Sequence, residues 1–337
     1  MTLPTPAPSD SALAIGHEAA ASSSPDAPSP RALLAAAGVE ERARLLGSGY
    51  GAVAYRAGDR VLRVLRPTNP ASITAGYERE HTLLALLANH GLPVPREAQL
   101  LRGEDGRPLA TLHRYVEGAP AHRAGPGGAL LRGRARQRLA EELGRFLAAL
   151  HTTPVREARA LGVPSLDAGR DAYTTLVAES APELGLRTRA WVEAELDRFL
   201  DAGGSEAAPR VLIHGDIASA HLLARPDGSL AGVIDWADAL TADPARDIAG
   251  FASGFGSLRG FRPPFIRRAL ASYAAEGGRA ARVAADPDLD RRVRFYLAIE
   301  PLYQVRYGWM LGGTAGEAQV ETGRRRLAAR ARTAASR

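Results

Sequence analysis

The chain has 337 residues, 45% of them hydrophobic, which is enough to build the cores of two lobes. It contains no Cys, which excludes a disulfide framework, a thiol nucleophile and a Cys-based zinc site. The formal net charge is +6, and all 43 basic residues are Arg. These are scattered along the chain without an aromatic–basic or zinc-finger pattern, so nucleic acid is not an expected partner.

Residues 1–31 are rich in Pro, Ser and Ala and read as a disordered leader. They lack the basic start and long apolar core of a secretory signal, and no later stretch approaches the roughly 20 apolar residues of a membrane span. The expectation is a soluble cytoplasmic protein. A short helix is expected from Ala32 to about Leu46. Gly47-Ser48-Gly49-Tyr50-Gly51 then forms a glycine-rich turn ahead of the strand-like run Ala52–Arg56. Such a turn lets backbone N–H groups approach phosphates closely. Gly58-Asp59 reverses the chain into a further strand, Val61–Leu65. The helix around Tyr77–Leu87 carries Leu83, Leu84 and Leu87 at three, four and seven positions after Glu80. That spacing turns Glu80 inward, where it needs a cation; Glu78 is the alternative. Ala110–Gly118 reads as a strand running into a connection to the helical part of the chain.

Beyond Gly118 the pattern is helical. Leu139, Leu143, Phe146, Leu147 and Leu150 recur at helical spacing, and His151 reads as a capping or core residue at that helix end. Val192, Leu196, Phe199 and Leu200 mark another amphipathic helix. Val211-Leu212-Ile213 then delivers His214-Gly215-Asp216 to a loop. His221 and the apolar Leu222-Leu223-Ala224 follow, and Asp227-Gly228 makes a hairpin turn. Ala231–Ile234 carries Asp235 out of the returning strand. The two strands therefore gather Asp216, His221 and Asp235 at one end of a hairpin. Asp243 and Asp247 read as loop-bracing residues, Asp243 as a helix N-cap ahead of Pro244; Asp238 reads as a solvated loop acid, with a group supporting the site from behind as the alternative. Further helices are expected at about 264–276, 288–311 and 316–331. The aromatic-dense stretch Arg294–Trp309 offers Tyr303, Tyr307 and Trp309 as candidate substrate contacts.

Phosphoryl transfer requires one carboxylate at the attacking hydroxyl and further ligands holding Mg²⁺ on the nucleotide phosphates. Asp216 suits the first role, and Asp235 with His221 the second. The block Val211–Phe251 resembles the catalytic and metal loops of the aminoglycoside phosphotransferase family, antibiotic kinases with the protein-kinase fold. The matching residues are His214-Gly215-Asp216, Ile234-Asp235-Trp236 and Asp243-Pro244-Ala245-Arg246-Asp247-Ile248-Ala249. The family's usual Asn is His221 here, which resembles the macrolide phosphotransferase branch. Neutral imidazole also binds metals, though it is less typical for Mg²⁺ than oxygen.

The resemblance implies an α+β, two-lobe, protein-kinase-like fold. A nucleotide-binding lobe is expected at residues 35–115, and a helical lobe for catalysis and acceptor binding at 119–335. It also implies that Gly47, Ser48, Gly49, Tyr50 and Gly51 cover the phosphates of ATP or GTP. Protein kinases place a Lys on the third strand. This chain has none, and Arg63 stands at the corresponding place, with Glu80 as its partner. The implied activity is phosphorylation of a hydroxyl on a small molecule, an antibiotic of the macrolide or aminoglycoside class. The aromatic pocket candidates, the basic last segment and His221 favour a less cationic acceptor. A metabolic small-molecule kinase and a catalytically weak nucleotide-binding relative are the alternatives.

Overall fold

The computed structural model describes residues 28–49, 51–166, 170–253 and 261–335. Helix α1 (Pro30–Ala36) begins at Ser29, whose hydroxyl accepts the Ala32 N–H. It ends well before Leu46, because Gly38 takes φ 72° and breaks the helix. Arg44–Ser48 is instead strand β1, followed by β2 (Ala52–Ala57) and β3 (Arg60–Leu65). The expected helix was misleading because Leu45 and Leu46 are exposed on a sheet-edge strand and follow no buried period.

Helix α2 (Ala71–Asn89) crosses over to β4 (Gln99–Arg102) and β5 (Pro108–Arg114). The five strands form an antiparallel sheet in the order β1-β2-β3-β5-β4. Side chains alternate across it. Leu62, Ala110 and Leu112 face Leu33 and Leu34 of α1 on one side, while Ala52 and Leu65 meet Tyr77 of α2 on the other.

After the hinge, β6 (Ala119–Pro120) joins a helical region built from α3 (Gly133–Thr152), α4 (Val155–Ala160), α5 (Arg170–Ser180) and α6 (Leu186–Asp201). Four short strands are set into it: β7 (Val211–Ile213), β8 (Leu222–Ala224), β9 (Leu230–Val233) and β10 (Leu240–Ala242). They pair as β10-β7 and β6-β8-β9. At the β8–β9 turn Gly228 has φ 84°, and a Cβ there would lie 1.9 Å from the Ala135 carbonyl oxygen, so glycine is required twice over. Asp227 closes the turn by accepting the Ser229 N–H at 3.0 Å. Helices α7 (Ala245–Ser253), α8 (Pro263–Ala275), α9 (Gly278–Ala284), α10 (Leu289–Leu311) and α11 (Gly313–Ala335) complete the described chain.

A single large apolar core runs from α2 through α3, β7–β9 and α10. Phe199 stacks on Phe295 at 3.7 Å between ring centres, and Tyr173 meets Phe295 edge-on at 5.3 Å. The aromatic density of α10 is thus largely core. No helix among the described residues is long and apolar enough to cross a membrane.

Candidate active site

The loop carrying His214-Gly215-Asp216 begins where β7 ends. Gly215 has φ 85°, and a Cβ on it would sit 2.3 Å from the Asp238 carbonyl oxygen; only glycine lets the two loops touch there. Asp247, fully buried at the start of α7, accepts the N–H groups of His214 (2.9 Å) and Gly215 (3.0 Å). His151 closes on Asp247 at 3.4 Å and on the Tyr273 hydroxyl at 3.0 Å, which makes it a core residue behind the loop. Asp243 accepts the Ala245 N–H (3.0 Å), Arg292 Nε (2.8 Å) and the Tyr296 hydroxyl (3.0 Å), so it caps α7 and anchors it to α10.

His214 is buried between the loops. Its Nε2–H donates to the Ile234 carbonyl (3.0 Å), and Nδ1 accepts the Asp216 N–H (3.3 Å). Burial lowers its pKa, so the ring remains neutral in the tautomer that both bonds require.

Asp216, His221 and Asp235 converge. His221 Nδ1 donates to the Asp216 backbone carbonyl (2.7 Å) and lies 3.6 Å from Asp216 Oδ2, while Nε2 lies 3.6 Å from Asp235 Oδ2. Asp235 is a non-glycine residue at φ 70°, a strained backbone of the kind that clusters at functional loops. Burial pushes its carboxyl pKa up, but Arg63, His221 and His214 outweigh burial and hold it at about 2.

Arg63 reaches this cluster from β3. Nη1 donates to both oxygens of Glu80 at 2.7 Å each, and Nη2 donates to Asp235 Oδ1 at 2.5 Å. Burial alone would lower the Arg63 pKa; Glu80 and Asp235 reverse that and raise it further. Glu80 also accepts the Trp236 N–H at 2.9 Å, so one carboxylate ties α2 both to β3 and to the loop bearing Asp235. Glu78 lies elsewhere, paired with Arg102 at 2.9 Å.

Above the cluster lies the β1–β2 turn. Gly47 and Ser48 pair with Ala54 and Val53, and the Gly49 N–H donates to the Ala52 carbonyl at 2.9 Å. Gly51 packs against Tyr77, whose hydroxyl would lie 2.8 Å from a Cβ there. Arg66 ties the turn down through Ser48 Oγ at 2.6 Å. Tyr50 lies outside the described residues.

Asp238 and α10 flank Asp216 on the other side. Asp238 is pushed up to about 7, first by burial and then by Asp216 and Asp235. The Tyr307 hydroxyl is raised by burial and then by Asp238, Asp216 and Asp235. Tyr303, one turn earlier, takes a hydrogen bond from Arg246 Nη1 at 3.3 Å. Trp309 does not join them: at 100° per residue it lies about 200° from Tyr307 around α10, and it is exposed. Sequence spacing had no signal for Arg246, the Glu80–Trp236 bond or the elevated Asp238, because each arises from contacts between distant elements.

The donor set fits a Mg²⁺ ion brought with a nucleotide. The Asp235 carboxylate and the Nε2 lone pair of His221 face the same space. Among the described residues no group of three or more His, Asp or Glu is arranged as a self-sufficient metal site. Mg²⁺ commonly takes one or two protein ligands and completes its shell with phosphate oxygens and water.

The model of the phosphotransferase enzyme family, APH, matches residues 42–287. The chain belongs to the aminoglycoside phosphotransferase family. A streptomycin 3''-kinase of Streptomyces griseus is 30% identical over 275 residues, covering 77% of this chain and 94% of that protein. Among solved structures, the GDP complex of aminoglycoside 2'-phosphotransferase-IIIa superposes with a TM-score of 0.69 at 23% identity, over 86% of this chain and 93% of that one. Macrolide 2'-phosphotransferase MphH from Brachybacterium faecium gives a TM-score of 0.63 at 25% identity, over 88% and 95%. The antiparallel sheet, the hinge and the helical region are thus the kinase-like fold of this family, and the protein is a phosphotransferase acting on a hydroxyl group.

Proposed function

We propose that the cleft transfers the γ-phosphate of ATP or GTP, presented with Mg²⁺, to a hydroxyl of an amino-sugar antibiotic. The observation that carries the reading is the continuous chain of contacts from Asp216 through His221 and Asp235 to Arg63 and Glu80. It combines a carboxylate for the acceptor, ligands for the ion and a fixed cation for the phosphates, which together are what phosphoryl transfer asks of a protein.

Asp216 accepts the acceptor O–H, orients its oxygen and takes the proton as the new O–P bond forms and the bond to the β-phosphate oxygen breaks. Since the transition state is largely dissociative, orientation contributes more than basicity. Asp235 and His221 hold the ion, which when bound neutralises charge on the phosphates. Arg63, fixed by Glu80, and the backbone of Gly47–Gly51 hold the phosphate oxygens. Tyr303 and Tyr307 line the acceptor side. Asp238 and Asp216 make that side acidic, which favours an acceptor bearing an ammonium group. This feature replaces the sequence-based leaning towards less cationic acceptors and agrees with a relative that acts on streptomycin.

The test is incubation with γ-labelled ATP or GTP and a panel of streptomycin, kanamycin, a macrolide, and simple sugars and amino alcohols. Transfer of label to an antibiotic with loss of its antibacterial action is expected. Label passing only to the simple metabolites, or to nothing, contradicts the reading.

A further inference from the structure

Arg246, the second residue of α7, is a partly buried cation with no carboxylate partner among the described residues. Other arginines withdrawn from solvent do meet one: Arg63 lies 2.7 Å from Glu80, Arg292 2.8 Å from Asp243 and Arg330 3.3 Å from Glu300. Arg246 meets phenols instead. Its Nη1 donates to the Tyr303 hydroxyl at 3.3 Å and to the Tyr173 hydroxyl at 3.4 Å, both long for such bonds. The rings of Tyr303 and Tyr296 lie 5.4 Å and 5.7 Å from its guanidinium carbon and soften the charge. Burial works against the charged form, and the groups that oppose burial are Tyr303, Tyr173 and Tyr296.

The unused donors share one edge of the guanidinium. Nε–H and the adjacent Nη2–H point in parallel, the geometry that grips a carboxylate or phosphate through two bonds. Neither nitrogen bonds to a described residue, and neither is enclosed, so both remain reachable. The Tyr303 hydroxyl accepts from Nη1 and keeps its own proton to give. Three donors and a positive charge therefore meet at one place. A ligand oxyanion matches them in charge and in bonding, whereas an ammonium matches neither. The place adjoins the transfer site. Asp247, next in sequence to Arg246, holds the N–H groups of His214 and Gly215. Tyr303 lies about one helical turn from Tyr307, whose hydroxyl is within reach of the Asp238 and Asp216 charges.

We propose that Arg246 and Tyr303 form an oxyanion-binding site beside the transfer site, taking a carboxylate or phosphate group that is either a free anion or part of the acceptor. The assignment of this side to the acceptor rests on the proposed phosphotransferase reading; the anion chemistry does not. An acceptor bearing both an ammonium and an oxyanion meets a complementary charge at Asp238 and at Arg246.

The experiment is calorimetric titration of the full chain with inorganic phosphate and with acetate. Saturating ADP fills the nucleotide's own phosphate site, and constant ionic strength fixes the screening. Both anions should bind. Arg246→Gln should weaken each by at least about tenfold, the loss expected when a charge-assisted two-bond contact is removed. Tyr303→Phe should weaken each by about threefold, which keeps the test decisive if the Gln variant does not fold. No anion binding to the wild type, or affinities unchanged in folded variants, overturns the site and leaves the phosphotransferase reading intact. Transfer kinetics with the acceptor that the wild type uses then identify the source. An anion that raises the acceptor KM in the wild type but not in Arg246→Gln assigns the site to an oxyanion of the acceptor; binding without such competition assigns it to a free anion, and either result upholds the site. Absence of transfer to every acceptor overturns the phosphotransferase reading alone, because anion binding is measured without turnover.

Discussion

Arg63 does what a lysine could not do in the same way. Its planar fork reaches two acids at once, Glu80 through Nη1 and Asp235 through Nη2, whereas an ammonium is a point charge. Arg63→Ala should raise the nucleotide KM and lower kcat, each by roughly 10-fold or more, since ground-state phosphates and transition-state charge both lose a cation. Arg63→Lys should recover part of this. Glu80→Ala should be at least as damaging, because it also strands the Trp236 N–H, and the double variant should be little worse than Glu80→Ala. Fully additive losses in kcat/KM would show that the two residues do not act as a pair. Asp235→Asn should weaken magnesium-nucleotide binding as well as turnover, while His221→Asn, the family's usual residue there, should be better tolerated. Equal damage from the two would give His221 a role other than metal ligand.

At the scale of elements, Pro301 stands inside α10 and cannot donate to the Leu297 carbonyl one turn back. Arg330 of α11 supplies that donor, reaching Leu297 O, and Ala298 O at 3.2 Å. Helix α11 is thus stapled over the Pro301 turn of α10. Arg330→Leu should cost about 1–3 kcal/mol, the usual penalty for a buried carbonyl left unpaired. Pro301→Ala should lessen that loss in the Arg330→Leu background, because the restored N–H reclaims the carbonyl. Urea melts of the two singles and the double measure this, and purely additive destabilisation would contradict it. Nothing in the sequence marked Arg330 for this task, since the partners are some thirty residues apart in chain and meet only when two helices pack. By contrast, the β8–β9 hairpin was legible from Asp227-Gly228, because the turn is local and Gly228 alone can adopt its backbone. The helix expected to run to Leu46 failed for the opposite reason: edge strand β1 buries almost nothing, so no period distinguishes it.

Across the whole molecule, buried histidines should make the fold acid-sensitive. Burial holds His113 at about 4 and also lowers His122 and His214. The unfolded chain takes up their protons near pH 6.5 while the fold refuses them, so stability falls as pH drops from about 6.5 towards 4, by on the order of 3 kcal/mol for His113 alone. Asp238, pushed up to about 7, runs the other way and costs stability as pH rises through that value. Chemical denaturation should therefore show a smaller pH 7-to-5 loss in His113→Leu than in the wild type, and an unchanged loss would contradict the buried neutral ring. Asp238→Asn should raise the melting temperature at pH 8, with the gain shrinking towards pH 5.

The site as a whole was half-visible in the sequence. Asp216, His221 and Asp235 sit on one local motif, and the helical period singled out Glu80 over Glu78. The acid–base environment around Asp238, Arg246 and His113 was not visible, because it depends on which elements the fold brings to the cleft.

The central claim is that Asp216 receives the acceptor hydroxyl while separate groups hold the nucleotide. Its most direct test compares Asp216→Ala with the wild type in two assays, nucleotide binding and phosphoryl transfer to streptomycin or whichever panel acceptor the wild type uses. Nucleotide affinity should be retained while transfer falls by about 10²-fold or more. Transfer near the wild-type rate in the folded variant, or loss of nucleotide binding alongside transfer, would contradict the account.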